Sequence, residues 1–428
     1  MPRDPRGPRV KRGVGLALAG GGPLGGIYEV GALIALADSL QGIDLNDLDV
    51  YVGVSSGSFV AAALANGISP AQMYRLFIAD GADAALTPQI FLRPALTEFS
   101  RRLVALPALS LQALVRYSRD PLRSSVLESL ATLSRALPVG LFDNVRIDRF
   151  LAQLLSGPGR TNDFRELDRK LFLVATNLGT GASVVFGAPG HDHVPISRAI
   201  GASSALPGLF PPVQIDGEHY VDGALNKTLH ASVALDEGIE LLLCVNPLVP
   251  YDGSSATLRD ARRGRLTVDK LKAGGLPLVL SQTFRAIIHS RMKVGMEMYR
   301  ARYPDARVIL FEPDREDAQI FFANLFSYRQ RKRICALAFT KTRRNLLSRA
   351  NVLAPLLERH GIALRLDRLN DAHRHVSDAS RDPRPVRADP LRDPTVRSAS
   401  RELQRTLDEL ERHLREVHPS RYPGARVA

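Results

Sequence analysis

Gly53-Val54-Ser55-Ser56-Gly57 places a serine between two glycines, directly after the apolar run Val50-Tyr51-Val52. The run reads as a buried strand. Ser56 to Ala65 follows with small and apolar residues and reads as a helix. A serine at the apex of a strand–turn–helix is the setting in which GxSxG marks a nucleophile, because the sharp turn exposes the hydroxyl. Gly53 and Gly57 suit such a turn, where a side chain would crowd the approach. The pentapeptide alone is equally well read as a tight βα turn.

Upstream, Val14 to Ala19 forms a second buried apolar run and ends in Gly20-Gly21-Gly22-Pro23-Leu24-Gly25-Gly26, with a helical pattern beyond. Backbone N–H groups of Gly21, Gly22 and Leu24 at a helix N-terminus can face a developing oxyanion, whereas Pro23 has no N–H to give. The same glycines fit GxGxxG as Gly20, Gly22 and Gly25. A dinucleotide site would want an acidic residue ending the next strand, and here that strand ends in the serine turn; Asp44 and Asp49 lie nearby without matching it.

A serine needs a base. None of the ten histidines has a distinctive context, and His191-Asp192-His193 lacks a clear further ligand for a metal. Asp222, in Tyr220-Val221-Asp222-Gly223-Ala224, sits at a strand end beside a small residue. It is a candidate base in a Ser55–Asp222 dyad and equally a candidate Asx-turn cap.

Continuous apolar strands, including Leu171–Asn177, Glu240–Asn246 and Val308–Phe311, alternate with helices, which predicts an α/β fold with a mostly parallel sheet in three layers. The 428 residues divide into a basic disordered tail (1–12), a catalytic domain (13–369) with a candidate helical cap at 69–137, a disordered linker rich in Arg, Asp, Pro and Ser (370–400), an amphipathic helix (401–417) and a tail (418–428). Leu403, Leu407, Leu410, Leu414 and Val417 give that helix 4-3-4-3 spacing, suited to self-association, docking on the body or a partner.

Lys and Arg number 57 against 44 Asp and Glu, a net charge of +13 that suits an anionic surface. No basic run is interleaved with aromatics as in nucleic-acid modules, which disfavours nucleic acid as a partner. The best candidate for attracting anionic lipid headgroups is Arg329, Arg331, Lys332 and Arg333, a run that also fits a solvated helix face. Cys244 and Cys335 lie in apolar surroundings and read as buried thiols. Val50–Ile68 is apolar but interrupted by the serine turn, and the N-terminus lacks a signal peptide's apolar core, so a cytoplasmic location with peripheral membrane contact is expected.

Taken in order, these motifs resemble the patatin-like phospholipase family. Gly20–Gly25 is similar to its glycine-rich motif, Gly53–Gly57 to its nucleophile elbow and Tyr220–Ala224 to its Asp-Gly-Gly/Ala motif. Ala202-Ser203-Ser204-Ala205-Leu206-Pro207-Gly208-Leu209-Phe210-Pro211-Pro212 is similar to the segment preceding that aspartate. The resemblance implies a three-layer α/β/α, modified α/β-hydrolase sheet and a Ser55–Asp222 dyad without a catalytic histidine. It implies amides of the glycine loop as oxyanion donors, and hydrolysis of phospholipid, lysophospholipid or acylglycerol esters with no cofactor and no metal. The family usually carries Arg or Lys where this chain has Leu24, a departure that weakens the expectation of anionic headgroups. It also leaves a catalytically degenerate lipid-binding or scaffold protein as the alternative.

Overall fold

The computed structural model describes residues 13–79, 145–250, 273, 275–314 and 330–381. The N-terminal tail, most of the candidate cap, residues 382–400 of the linker and the 401–417 helix lie outside the described residues.

Strands β1 (Val14–Leu18), β3 (Val50–Val54), β4 (Lys170–Asn177), β8 (Leu241–Val245) and β9 (Arg307–Phe311) form the parallel part of the sheet, in the order β4-β3-β1-β8-β9. Three further strands, β5 (Ser183–Phe186), β6 (Val213–Ile215) and β7 (Glu218–Asp222), add antiparallel pairings on the β4 side. A short pair, β2 (Leu40–Gln41) with β10 (Ala363–Leu364), stands apart. The architecture is the mostly parallel α/β sheet expected.

Both faces of the sheet are covered, which is why its strands read as continuous apolar runs. Leu16, Leu18, Tyr51, Leu171 and Leu173 point to one side, into a core with helices α1 (Gly22–Ser39), α2 (Ser56–Ala65), α3 (Pro70–Phe77), α4 (Val145–Leu155) and α5 (Ile196–Ser203). Alternate residues Ala17, Val50, Val52, Val54, Phe172 and Val174 point to the other, against α6 (Ala231–Asp236) and α7 (Gly275–Arg302). The first core also receives α8 (Arg331–Ser348) and α9 (Ala350–Glu358).

Helix α1 packs against α8 so closely that a Cβ on Gly31 would fall 2.3 Å from the carbonyl oxygen of Cys335. A backbone atom cannot move aside as a side chain does, so Gly31→Ala is expected to cost roughly 3 kcal/mol, read as a clear drop in the midpoint of thermal unfolding.

The packed body runs past residue 369, where the loss of apolar period set the expected boundary. Two short helices, α10 (Leu366–Asn370) and α11 (Val376–Ala379), close onto α1. Arg374 Nε and Arg368 Nη1 reach the buried Asp38 carboxylate on α1 at 2.6 and 3.1 Å. The Arg343 guanidinium donates to the carbonyls of Arg374 and Asp371. Polar anchors of this kind leave no hydrophobic periodicity to read.

Candidate active site

Strand pairing brings Ser55 and Asp222 together. Val54, the last residue of β3, pairs with Val174 of β4, and the next β4 residue, Ala175, pairs with Asp222. Ala175 and Thr176 also pair with β5, which occupies one edge of β4. Strand β7 therefore takes the other edge, the one β3 vacates when the chain turns away at Ser55. The two strands meet end to end, with Ser55 finishing one and Asp222 finishing the other.

The turn is strained. Ser55 holds φ 53° and ψ −125°, a positive φ unusual for a residue with a side chain. Such a conformation persists only where its surroundings enforce it. Here Ser203 Oγ accepts the Ser55 N–H at 2.9 Å and donates to Val174 O at 2.6 Å. The Ser55 carbonyl accepts from Ser204 Oγ at 3.1 Å and from the Ser58 N–H at 2.9 Å. The end of α5 thus clamps the elbow from the β4 side. Ser203 and Ser204 belong to a stretch the sequence singled out, but their grip on Ser55 spans nearly 150 residues and leaves no local signature.

The motif glycines provide close approach. A Cβ on Gly20 would lie 2.8 Å from Ser55 Cβ and 3.4 Å from its Oγ. On Gly57 it would meet Leu18 O at 2.5 Å, on Gly53 the Ser58 Cα at 2.5 Å, and on Gly223 Val174 O at 2.2 Å. Gly21 is the N-cap of α1 and presses on Pro247; Gly22, with φ 63°, opens the helix. The Gly25 N–H is consumed by Gly21 O at 3.1 Å, which leaves Gly22 and Leu24 as the first-turn residues whose amides have no carbonyl in their own helix. The Leu24 side chain is buried in the core, so the departure at this position is filled by apolar packing.

Asp222 is almost wholly buried, at 2% exposed, and Ser55 is 6% exposed. Burial pushes the Asp222 carboxyl up to about 6; the hydrogen bonds from the Ser55 hydroxyl and the Ala224 N–H, the latter at 2.8 Å, oppose the shift by favouring the charged form. That N–H bond is the Asx-type turn read as an alternative role, and Asp222 makes it while lying beside Ser55. A fixed carboxylate of this basicity bonded to a serine hydroxyl can accept its proton.

His230 lies beneath the same turn. Its Nε2 is 3.3 Å from Gly223 O, and burial pulls the imidazole down to about 4, so at neutral pH the ring is uncharged and donates to that carbonyl. The local sequence around His230 carries no sign of this role. His193, from the His-Asp-His loop, pairs instead with Asp216 at 2.9 Å.

In the basic run, Arg331 Nε donates to Ile78 O at 2.9 Å, joining the start of α8 to the end of α3. Lys332 and Arg333 are exposed, and Arg329 lies outside the described residues. Both thiols, Cys244 and Cys335, are buried. Among the described residues no helix is long and apolar enough to cross a membrane.

The sequence from residue 16 to 235 matches the family model for patatin-like phospholipases, a span that runs from within β1 to within α6 and holds the elbow and Asp222. The chain belongs to the patatin-like phospholipase family. Solved structures similar to this patatin-like chain include VipD from Legionella pneumophila, 17% identical, with 79% of this chain and 67% of VipD covered at a TM-score of 0.36. The type III effector protein ExoU is 16% identical, with 79% of this chain and 53% of ExoU covered at a TM-score of 0.33. The chain thus spans about half the length of that ExoU structure. Full-length ExoU in complex with SpcU, from the type III secretion system of Pseudomonas aeruginosa, is 16% identical, with 97% of this chain and 82% of that one covered at a TM-score of 0.24.

Proposed function

We propose that this patatin-like chain is a serine acyl hydrolase acting on carboxylic esters of lipids. The observation that carries the reading is the meeting of Ser55 with the buried Asp222 at the head-on junction of two strands.

In the first step Ser55 Oγ attacks the ester carbonyl as its proton passes to Asp222. The tetrahedral oxyanion takes hydrogen bonds from amides of the glycine loop, for which Gly21, Gly22 and Leu24 are the candidates. Collapse expels the alcohol, which takes the proton from Asp222 and leaves an acyl-serine. Water then attacks that ester, giving its proton to Asp222, and collapse returns the proton to Ser55 Oγ with release of the fatty acid. Asp222 serves as base and acid in alternation, a role suited by a carboxyl near 6.

One feature supports a lipid ester over a charged soluble one: the segment after α5 is free of charge from Ala205 to Val213. Lys332 and Arg333, exposed at the start of α8, are suited to attract an anionic membrane surface.

Turnover of p-nitrophenyl esters tests the proposal, and its pH dependence carries the most information. The base must be deprotonated, so kcat/KM is expected to be low below pH 6, to rise about tenfold per unit through the acid side and to level off above about pH 7. A midpoint near the ordinary carboxylate value of 3.8 would remove Asp222 from the base role.

A further inference from the structure

The loop between α5 and β6, residues 204–212, hangs from both members of the dyad. Ser204 Oγ donates to the Ser55 carbonyl at 3.1 Å, and Ala205 O accepts the Asp222 N–H at 3.0 Å. The loop's far end is fixed where Val213 pairs with Tyr220, two residues before Asp222. Its span therefore has to run alongside the Tyr220–Asp222 stretch.

Its composition is unusual for a surface segment. Leu206, Pro207, Gly208, Leu209, Phe210, Pro211 and Pro212 carry no charge and no polar side chain, yet none of the seven is buried. Leu206 is 37% exposed. The backbone is folded back on itself: the N–H groups of Leu209 and Phe210 both donate to Leu206 O at 3.0 Å, and Gly208 turns with φ 84°. This compact turn leaves Leu206 exposed and Leu209 and Phe210 half-buried, directly after the two residues that bond the backbones of Ser55 and Asp222. Exposed apolar surface of this kind marks a place that something apolar covers.

We infer that the 206–212 loop, through Leu206, Leu209 and Phe210, is the surface against which the acyl chain of an ester lies when its carbonyl is at Ser55. This inference rests on the acyl-hydrolase reading. The occupant follows from the attachments: the loop departs from Ser204 and Ala205, which bond the backbones of Ser55 and Asp222, and the acyl chain is the apolar part of the substrate bonded to the attacked carbonyl. The same attachments make the loop a selector of chain length, since it meets the chain beyond its first few carbons.

The test compares kcat/KM for p-nitrophenyl butyrate and p-nitrophenyl dodecanoate, both kept monomeric, in wild type, Leu206→Ser and Phe210→Ser. Removing an apolar contact along several methylenes is expected to lower the dodecanoate-to-butyrate ratio by about tenfold, with Leu206→Met and Phe210→Leu restoring most of it. A ratio unchanged by both serine variants, or equal losses on the two esters, overturns the inference. A loss confined to vesicle substrates also overturns it, in favour of the loop docking on a membrane.

Binding of dodecanoate to the Ser55→Ala protein, measured by calorimetry with and without Leu206→Ser, reads the same contact without turnover. A fivefold or greater weakening supports it, and no change contradicts it. Wild-type protein that binds dodecanoate through the loop but hydrolyses neither ester would defeat the hydrolase reading while leaving the contact standing.

Discussion

Replacing Ser55 with alanine is expected to lower p-nitrophenyl ester turnover by at least about 10⁴-fold, to the level the oxyanion donors and binding alone sustain. The hydroxyl sits at the junction of β3 and β7, beside Asp222 and close to Gly20. The substitution should not disturb the fold. Alanine meets the same positive-φ penalty that serine already bears, and the clamps from Ser203, Ser204 and Ser58 all act on the backbone of residue 55. Its loss also strips Asp222 of a bond that favours the charged carboxylate, so the carboxyl should move further up from about 6. Infrared difference titration of the Asp222 band in Ser55→Ala would register that rise. A turnover loss of less than about tenfold would show that another group supplies the nucleophile.

Asp222→Asn is expected to separate activity from stability. Asparagine keeps an oxygen that can accept from the Ala224 N–H, so the turn survives, but it cannot take a proton from Ser55. Removal of a general base of this kind lowers kcat by about 10²–10⁴-fold, and the acid side centred near pH 6 should vanish with it. Stability should move the other way. The carboxyl titrates at about 6 in the folded protein against an ordinary value of 3.8. Below pH 4 both states hold the proton and nothing separates wild type from variant on this account. Between 4 and 6 the unfolded chain ionises while the folded one does not, so wild-type stability falls. Above 6 the penalty is constant, on the order of 3 kcal/mol, and the asparagine variant is free of it. The variant should therefore melt higher than wild type at pH 8, with the gap closing as the pH approaches 4. An active variant with an unchanged acid side would take the base role away from Asp222.

Much of this was legible in the sequence because the elements concerned are local. The elbow announces itself in five residues, since only glycines fit where a Cβ on Gly53 or Gly57 would strike backbone. The buried parallel strands follow from uninterrupted apolar runs, and Asp222 from its strand-end position before Gly223. The rest depends on contacts between distant segments. Nothing in the spacing of Ser203 and Ser204 reveals that they hold the elbow, or that the His230 ring supports the turn after Asp222. The same holds at the C-terminal side of the body: Arg368 and Arg374 are anchored on Asp38, more than 300 residues away, and Arg374 lies in a stretch whose composition reads as linker.

Central to the proposed function is Ser55 as the nucleophile that Asp222 activates. Labelling the full chain with a fluorophosphonate and locating the adduct by peptide mass spectrometry tests that most directly. The expected result is a single adduct on Ser55, forming at a rate that rises with pH through about 6 and is strongly slowed in Asp222→Asn. An adduct on any other residue, or labelling of Ser55 at a rate indifferent to Asp222, would contradict it.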